Sequence, residues 1–226
     1  MRYERVVKGR FLSRPNRFIA HVEMEGRVEV CHVKNTGRCR ELLVPGAAVY
    51  LSEAENPLRK TCYDLVAVEK GTRLINMDAA APNRVFGEWA AAGGLGAVPE
   101  ALRPEVVFGD SRFDFRLEMG GEARFVEVKG VTLEEDGEVR FPDAPTERGV
   151  KHLKGLQRAV EAGFGAAVFF VVQMENVSCF RPNDTTHPAF GQALREAAAQ
   201  GVEVMAYDCR VTPDSMVIRA PVRVVL

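Results

Sequence analysis

The segment Arg112-Phe113-Asp114-Phe115-Arg116-Leu117-Glu118-Met119-Gly120-Gly121-Glu122-Ala123-Arg124-Phe125-Val126-Glu127-Val128-Lys129 decides how this chain is read. Two stretches of alternating apolar and polar side chains flank a Gly-Gly pair, which supplies the positive φ angles of a two-residue hairpin turn. With the glycines at the tip, Met119 meets Glu122. Counting back from there, Phe115 meets Val126, Asp114 meets Glu127, Phe113 meets Val128 and Arg112 meets Lys129. Strand alternation then gathers Phe113, Phe115, Val126 and Val128 on one face, with Arg112, Asp114, Glu127 and Lys129 on the other.

Two carboxylates directly opposite one another repel and weaken a hairpin, so a positive partner is expected between them. A hard divalent cation, Mg²⁺ or Mn²⁺, takes one or two carboxylates and fills its remaining positions with water and substrate phosphate oxygens. Lys129 lies two residues from Glu127 and shares its face, where it can orient an attacking water or stabilise charge growing on a phosphoryl oxygen. The competing reading is an exposed face of ordinary ion pairs, each worth about 0–1 kcal/mol.

Working outward, Glu105–Phe108 reads as a strand before the hairpin, and Asn83–Ala92 as a helix stopped by Gly93-Gly94. Downstream, Thr146–Ala162 carries Val150, Leu153, Leu156 and Val160 on one helical stripe, and Ala166–Val172 is a continuous apolar run suited to a buried parallel strand. A helix at Pro188–Gln200, a strand at Val202–Tyr207 and an edge strand at Val217–Val224 follow. The order α-β-β-β-α-β-α-β predicts a mixed α/β sheet flanked by helices over residues 81–226.

Residues 1–80 have a different texture. Short strands are predicted at Val6–Leu12, Phe18–Met24, Val28–Val33, Ala48–Leu51, Leu65–Glu69 and Thr72–Asn76. Turn signals at Arg14-Pro15-Asn16, Glu25-Gly26, Asn35-Thr36-Gly37, Pro45-Gly46 and Asn56-Pro57 separate them. Five or six strands in this span predict a small barrel; an OB-like barrel is the commonest such fold that handles nucleic acid, and its strand count is shared with other barrels. This stretch holds 14 Lys/Arg against 10 Asp/Glu, whereas the remainder holds 16 against 21. A basic module attached to an acidic one supplies a phosphate-attracting surface. Arg14, Arg17, Lys34, Arg38 and Arg40 are its phosphate-contact candidates, and Phe18 and Tyr50 its candidate base-stacking rings, with a core role as the bland alternative for both.

The five cysteines are scattered without a C-x-x-C pair, so reduced and mostly buried thiols are expected. No apolar leader and no stretch of about 18 apolar residues is present, which predicts a soluble, cytoplasmic protein with no membrane partner.

Phe113-Asp114 followed by Val126-Glu127-Val128-Lys129 resembles the D…(D/E)-x-K signature of restriction-endonuclease-like nucleases, with Phe113 where that signature has proline. Over nearly its whole length the chain resembles the sugar fermentation stimulation protein A family. The similarity lies in Asn35-Thr36-Gly37-Arg38, Glu41-Leu42-Leu43-Val44-Pro45-Gly46, Asn56-Pro57, Phe141-Pro142-Asp143-Ala144-Pro145-Thr146-Glu147-Arg148-Gly149, Lys151-His152-Leu153, Phe170-Val171-Val172-Gln173 and Phe180-Arg181-Pro182.

That resemblance implies an OB-like domain over 1–80 joined to a PD-(D/E)xK nuclease-like domain over 81–226. It also implies a DNA-binding protein linked to sugar-utilisation genes, either a metal-dependent nuclease or a non-catalytic DNA-binding regulator on the same scaffold. Glu88, in the helix before the three strands, matches the place where this nuclease class often carries a further acid. The Val128 carbonyl is a candidate third metal ligand beside Asp114 and Glu127. Arg148, Lys151 and His152 open the helix after the hairpin and are candidate phosphate contacts, Arg148 and His152 sharing a face by their i,i+4 spacing. Gln173 ends a buried strand and is expected to face the site. RNA or a small phosphorylated molecule stands as an alternative substrate, and a homodimer is a candidate assembly.

Overall fold

The structure is a computed structural model that describes every residue of the 226 except Thr36, Glu55 and Pro57. The turns expected at Asn35-Thr36-Gly37 and Asn56-Pro57 therefore lie partly outside the described residues.

Six strands come first: β1 (Val6–Asn16), β2 (Ile19–Met24), β3 (Arg27–Val33), β4 (Ala48–Glu53), β5 (Tyr63–Lys70) and β6 (Arg73–Asn76). Their order is β3-β2-β1-β4-β5-β6, and a parallel β3–β5 pairing closes five of them into an OB-like barrel. β1 is long enough to serve two neighbours. Its Val6–Arg10 half pairs with β4 and its Arg10–Asn16 half with β2, where register shifts after Phe11 and Ser13 bend it around the barrel. Alternate residues point inward, so Ala20 and Val22 of β2, Cys31 and Val33 of β3, and Val49 and Leu51 of β4 are fully buried.

The second part begins with α1 (Ala81–Ala91), then β7 (Ala101–Phe108), β8 (Ser111–Met119) and β9 (Glu122–Val131). After β10 (Leu133–Glu135) and β11 (Glu138–Phe141) come α2 (Glu147–Glu161), β12 (Gly165–Val172), β13 (Cys179–Pro182), α3 (Pro188–Ala199), β14 (Glu203–Thr212) and β15 (Ser215–Pro221). The main sheet runs β15-β14-β12-β9-β8-β7, with β12 parallel to both of its neighbours. Both faces of the sheet are covered. Ala167, Phe169 and Val171 of β12 join the core under α1, while Val168, Phe170 and Val172 join the core under α2 and α3. A strand buried on two faces has no polar alternation, which is why Ala166–Val172 reads as an unbroken apolar run.

Thr146 caps α2 by accepting the Gly149 N–H, and the helix lays Leu153, Leu156 and Ala159 on the sheet. The small sheet β10-β11-β13 has no counterpart in the sequence reading, because strands of three and four residues are too short to show a period. Barrel and main sheet share one apolar cluster, in which Ile75 and Met77 at the barrel exit meet Val131, Val172 and Met174. Among the described residues no helix is long and apolar enough to cross a membrane. All five cysteines are free thiols, and four of them are buried.

Candidate active site

The hairpin adopts the register expected from its glycines, from Met119↔Glu122 to Phe115↔Val126. There the ladder stops. Asp114 intervenes: its Oδ2 accepts the Val128 N–H (2.7 Å) and its Oδ1 accepts the Asn83 amide at the start of α1 (2.7 Å). On the other side, the β7–β8 ladder skips the Glu105/Asp114 pair, and Glu105 has φ +53°. The strand turns over at this point. Phe115 packs on Phe86 of α1, with ring centroids 5.1 Å apart, whereas Phe113 packs on Phe125 and beside Gly155 of α2. The single apolar face expected for Phe113 and Phe115 is thus corrected to two cores, one on each side of the sheet.

Glu127 points to the α2 side and is 3% exposed. Its Oε1 receives the Lys129 ammonium (2.5 Å) and Nδ1 of His152. Its Oε2 is buried and has no hydrogen-bond partner among the described residues. His152 reaches Glu127 because α2 comes close to β8 at Gly155, where a Cβ would stand 2.6 Å from Ser111 Oγ and 3.0 Å from Phe113 Cζ.

The two acids are pushed in opposite directions. Burial, reinforced by the charge of Glu127, raises the Asp114 carboxyl above its ordinary value; the Val128 N–H and Asn83 offset part of this. Burial also acts to raise Glu127, but the His152 hydrogen bond and the Lys129 ammonium outweigh it and hold that carboxyl below its ordinary value.

Several other candidates lie elsewhere. Glu88 is drawn to the amino group of Met1 (2.6 Å) and to Arg84 (3.2 Å), one helical turn back. Asn83 takes the place beside Asp114 that was expected of Glu88; an uncharged residue gave no acidic signal to find it by. Lys151 turns away from its neighbour His152 and pairs with Asp110 at the β7–β8 turn (3.4 Å). His152 is 6% exposed and faces Glu127, so the phosphate contact expected of it is corrected. Arg148 stays exposed and donates through Nε to His152 Nε2 (3.4 Å). Gln173 spends its amide hydrogens on the Asn76 carbonyl and side chain and on the Asp78 carbonyl, tying the end of β12 to the barrel exit, and packs against Gly130.

In the barrel, Arg14 is withdrawn from the phosphate contacts: its guanidinium donates to the carbonyls of Arg17, Asn35, Gly37 and Arg38. Lys34 pairs with Asp78 (2.8 Å). Arg17, Arg38 and Arg40 are exposed, and Phe18, with the Arg17 guanidinium 5.8 Å from its ring centroid, is 49% exposed. Tyr50 is tied to Glu69 (2.6 Å) and covered by Lys8. A cleft of about 390 Å³ separates Arg17, Asn35 and Gly37 from Gly130 of β9, Thr146 at the start of α2 and Gln173 just after β12, and so opens beside the strand that carries Glu127 and Lys129.

Among the described residues no three His, Cys, Asp or Glu side chains converge in a ready-made metal cage. The donor set is two carboxylates and backbone. It fits a hard divalent cation on two counts: a buried carboxylate oxygen of Glu127 lacks any partner, and Asp114 is disfavoured as a free anion.

Comparison with known proteins places residues 80–215 in the family described as "Sugar fermentation stimulation protein RE domain" and residues 12–77 in "SfsA N-terminal OB domain". A sugar fermentation stimulation protein homolog of Desulfitobacterium hafniense (strain Y51) is 57% identical over 216 residues, covering 96% of this chain and 94% of its own. The homolog of Clostridium beijerinckii is 51% identical over 226 residues, with 100% of both chains covered. A solved structure titled "The structure of Pyrococcus Furiosus SfsA in complex with Ca2+" superposes with a TM-score of 0.90 at 28% identity, over 100% of this chain and 98% of that one.

Proposed function

The chain belongs to the sugar fermentation stimulation protein family, and from that premise we propose that it is a divalent-metal-dependent nuclease of the PD-(D/E)xK type that hydrolyses phosphodiester bonds in DNA. The observation that carries this reading is the buried, unpartnered Oε2 of Glu127, set beside an Asp114 whose charge its surroundings oppose. An orphaned acceptor in an apolar setting is costly, about 1–3 kcal/mol, and such a cost is kept where the group has a ligand to bind. The Ca²⁺ named with the similar archaeal structure supports a cation-binding site in the fold.

Asp114 and Glu127 would hold Mg²⁺ or Mn²⁺, with the Val128 carbonyl as a further ligand. When bound, such a cation polarises a phosphoryl oxygen and eases deprotonation of water. Lys129, already within 2.5 Å of Glu127, orients the attacking water and donates to the oxygen on which negative charge grows. Asn83 and the Val128 N–H hold the Asp114 carboxylate in one orientation, so its geometry is set before substrate arrives. Arg148, exposed at the start of α2, neutralises a phosphate next to the one cleaved. Arg17, Arg38 and Arg40 attract the nucleic-acid backbone along the barrel, and Phe18 offers a ring for a base.

Incubating the full chain with single-stranded and duplex DNA and RNA, with and without Mg²⁺ or Mn²⁺, tests the reading. Metal-dependent cleavage should fall at least about 100-fold in Lys129→Ala and in Asp114→Asn. Cleavage that persists in both variants would overturn it. Salt-sensitive DNA binding with no products at any metal concentration would favour the non-catalytic DNA-binding protein instead.

A further inference from the structure

We propose that His152 is the positioning residue that turns Glu127 toward the metal, holding Oε1 so that Oε2 stays open to the cation. The inference rests on the metal-site reading above and adds a part to it. Both ring nitrogens of His152 are engaged: Nδ1 lies against Glu127 Oε1, and Nε2 faces the Nε–H of Arg148 at 3.4 Å. A guanidinium donates and never accepts, so Nε2 is the acceptor and the ring proton sits on Nδ1, pointing at the carboxylate. Arg148 thereby fixes the tautomer, and the tautomer fixes which carboxylate oxygen is consumed.

Lys129 shares the same Oε1, yet its ammonium rides on a flexible four-carbon stem that follows the carboxylate wherever it rotates. The imidazole cannot follow. It is 6% exposed, anchored in α2, and stacked edge-on to Phe113 with centroids 6.4 Å apart. With one oxygen held by a rigid donor, the other is left buried and unpartnered, and that is the oxygen a cation needs. Metal-binding carboxylates are oriented by such outer hydrogen bonds, and removing one costs about 10–100-fold in metal affinity.

The test is Mn²⁺ affinity of the full-length chain without substrate, read from the free-ion electron paramagnetic resonance signal at neutral pH. Wild type should bind Mn²⁺, and His152→Ala should bind about 10–100-fold more weakly. His152→Asn, whose amide can place an N–H where Nδ1–H stood, should recover most of the affinity, whereas His152→Gln, which puts its donor further out, should not. The Asn/Gln contrast decides the matter even where the alanine variant fails to fold. DNA affinity in metal-free buffer should be unchanged in His152→Asn and His152→Gln alike. Equal Mn²⁺ affinity across wild type, Asn and Gln would overturn the positioning role while leaving the nuclease reading to its own cleavage test. A wild type that takes up no Mn²⁺ overturns both, and a loss of metal-free DNA binding in either variant would return His152 to phosphate contact.

Discussion

At the scale of single residues, Asp114 and Glu127 carry the same charge and differ in everything that surrounds it, and this has a measurable sign. The folded chain raises the Asp114 pKa, so its favourable contribution is complete below the ordinary value of 3.8 and is lost as pH rises through the folded value. Glu127 is lowered, so its contribution is present above the ordinary value of 4.5 and is lost as pH falls through the folded value. Metal-free Asp114→Asn should therefore be more stable than wild type at neutral pH by roughly 0.2–1 kcal/mol, the size of a relieved like-charge pair, with the gain vanishing below about pH 4. Glu127→Gln should go the other way, losing about 2–3 kcal/mol by stranding Lys129; a fully buried pair would lose about 3–5, but the Lys129 side chain is 16% exposed. Chemical denaturation of both variants across that pH range checks the pair, and destabilisation by both would contradict the assigned environments.

At the scale of elements, the contact between α2 and β8 positions the site, and Gly155 is what permits it. Gly155→Ala should cost about 1–3 kcal/mol of stability, since the new methyl group meets Ser111 and Phe113 inside van der Waals contact. By pushing α2 outward it should also weaken Mn²⁺ binding through His152, and unchanged thermal midpoint and metal affinity would show that the helix has room to spare. Much at this scale was legible in the sequence. Gly120-Gly121 fixed the hairpin register, and the apolar stripe of α2 placed its inner face on the sheet. The bend at Asp114 was not legible, because alternation assumes a continuous ladder and this one is interrupted by its own side chain bonding to Val128. The β10-β11-β13 sheet escaped for want of length, and Asn83 because an amide in a helix's first turn looks like any solvated residue. Asp114, Glu127 and Lys129 were legible from the hairpin spacing as a candidate trio. Its further partners were not, since Glu88, Lys151 and His152 each follow a tertiary neighbour, Met1, Asp110 and Glu127, that one-dimensional periodicity does not contain.

At the scale of the whole molecule, a barrel and a sheet domain share one apolar cluster, and Arg17 of the barrel lines the cleft beside β9. The near-neutral net charge of −1 hides this division. Replacing both Arg38 and Arg40 with alanine should weaken metal-free DNA binding at low salt and reduce the slope of log K against log salt by about 2, one unit for each phosphate contact removed. Fluorescence anisotropy over a salt series measures it, and an unchanged slope would place the nucleic acid elsewhere. Strand β1 carries a cation of another kind beside these arginines. Arg14 gives the N–H groups of its two terminal nitrogens to four backbone oxygens, so it acts as a hub around which its neighbours are threaded. Deleting it would leave Arg17 and Arg38 chemically intact on slack backbone. A variant at this position would then mimic a lost phosphate contact although no phosphate had ever touched it, and lysine, with equal charge but no fork, would rescue nothing.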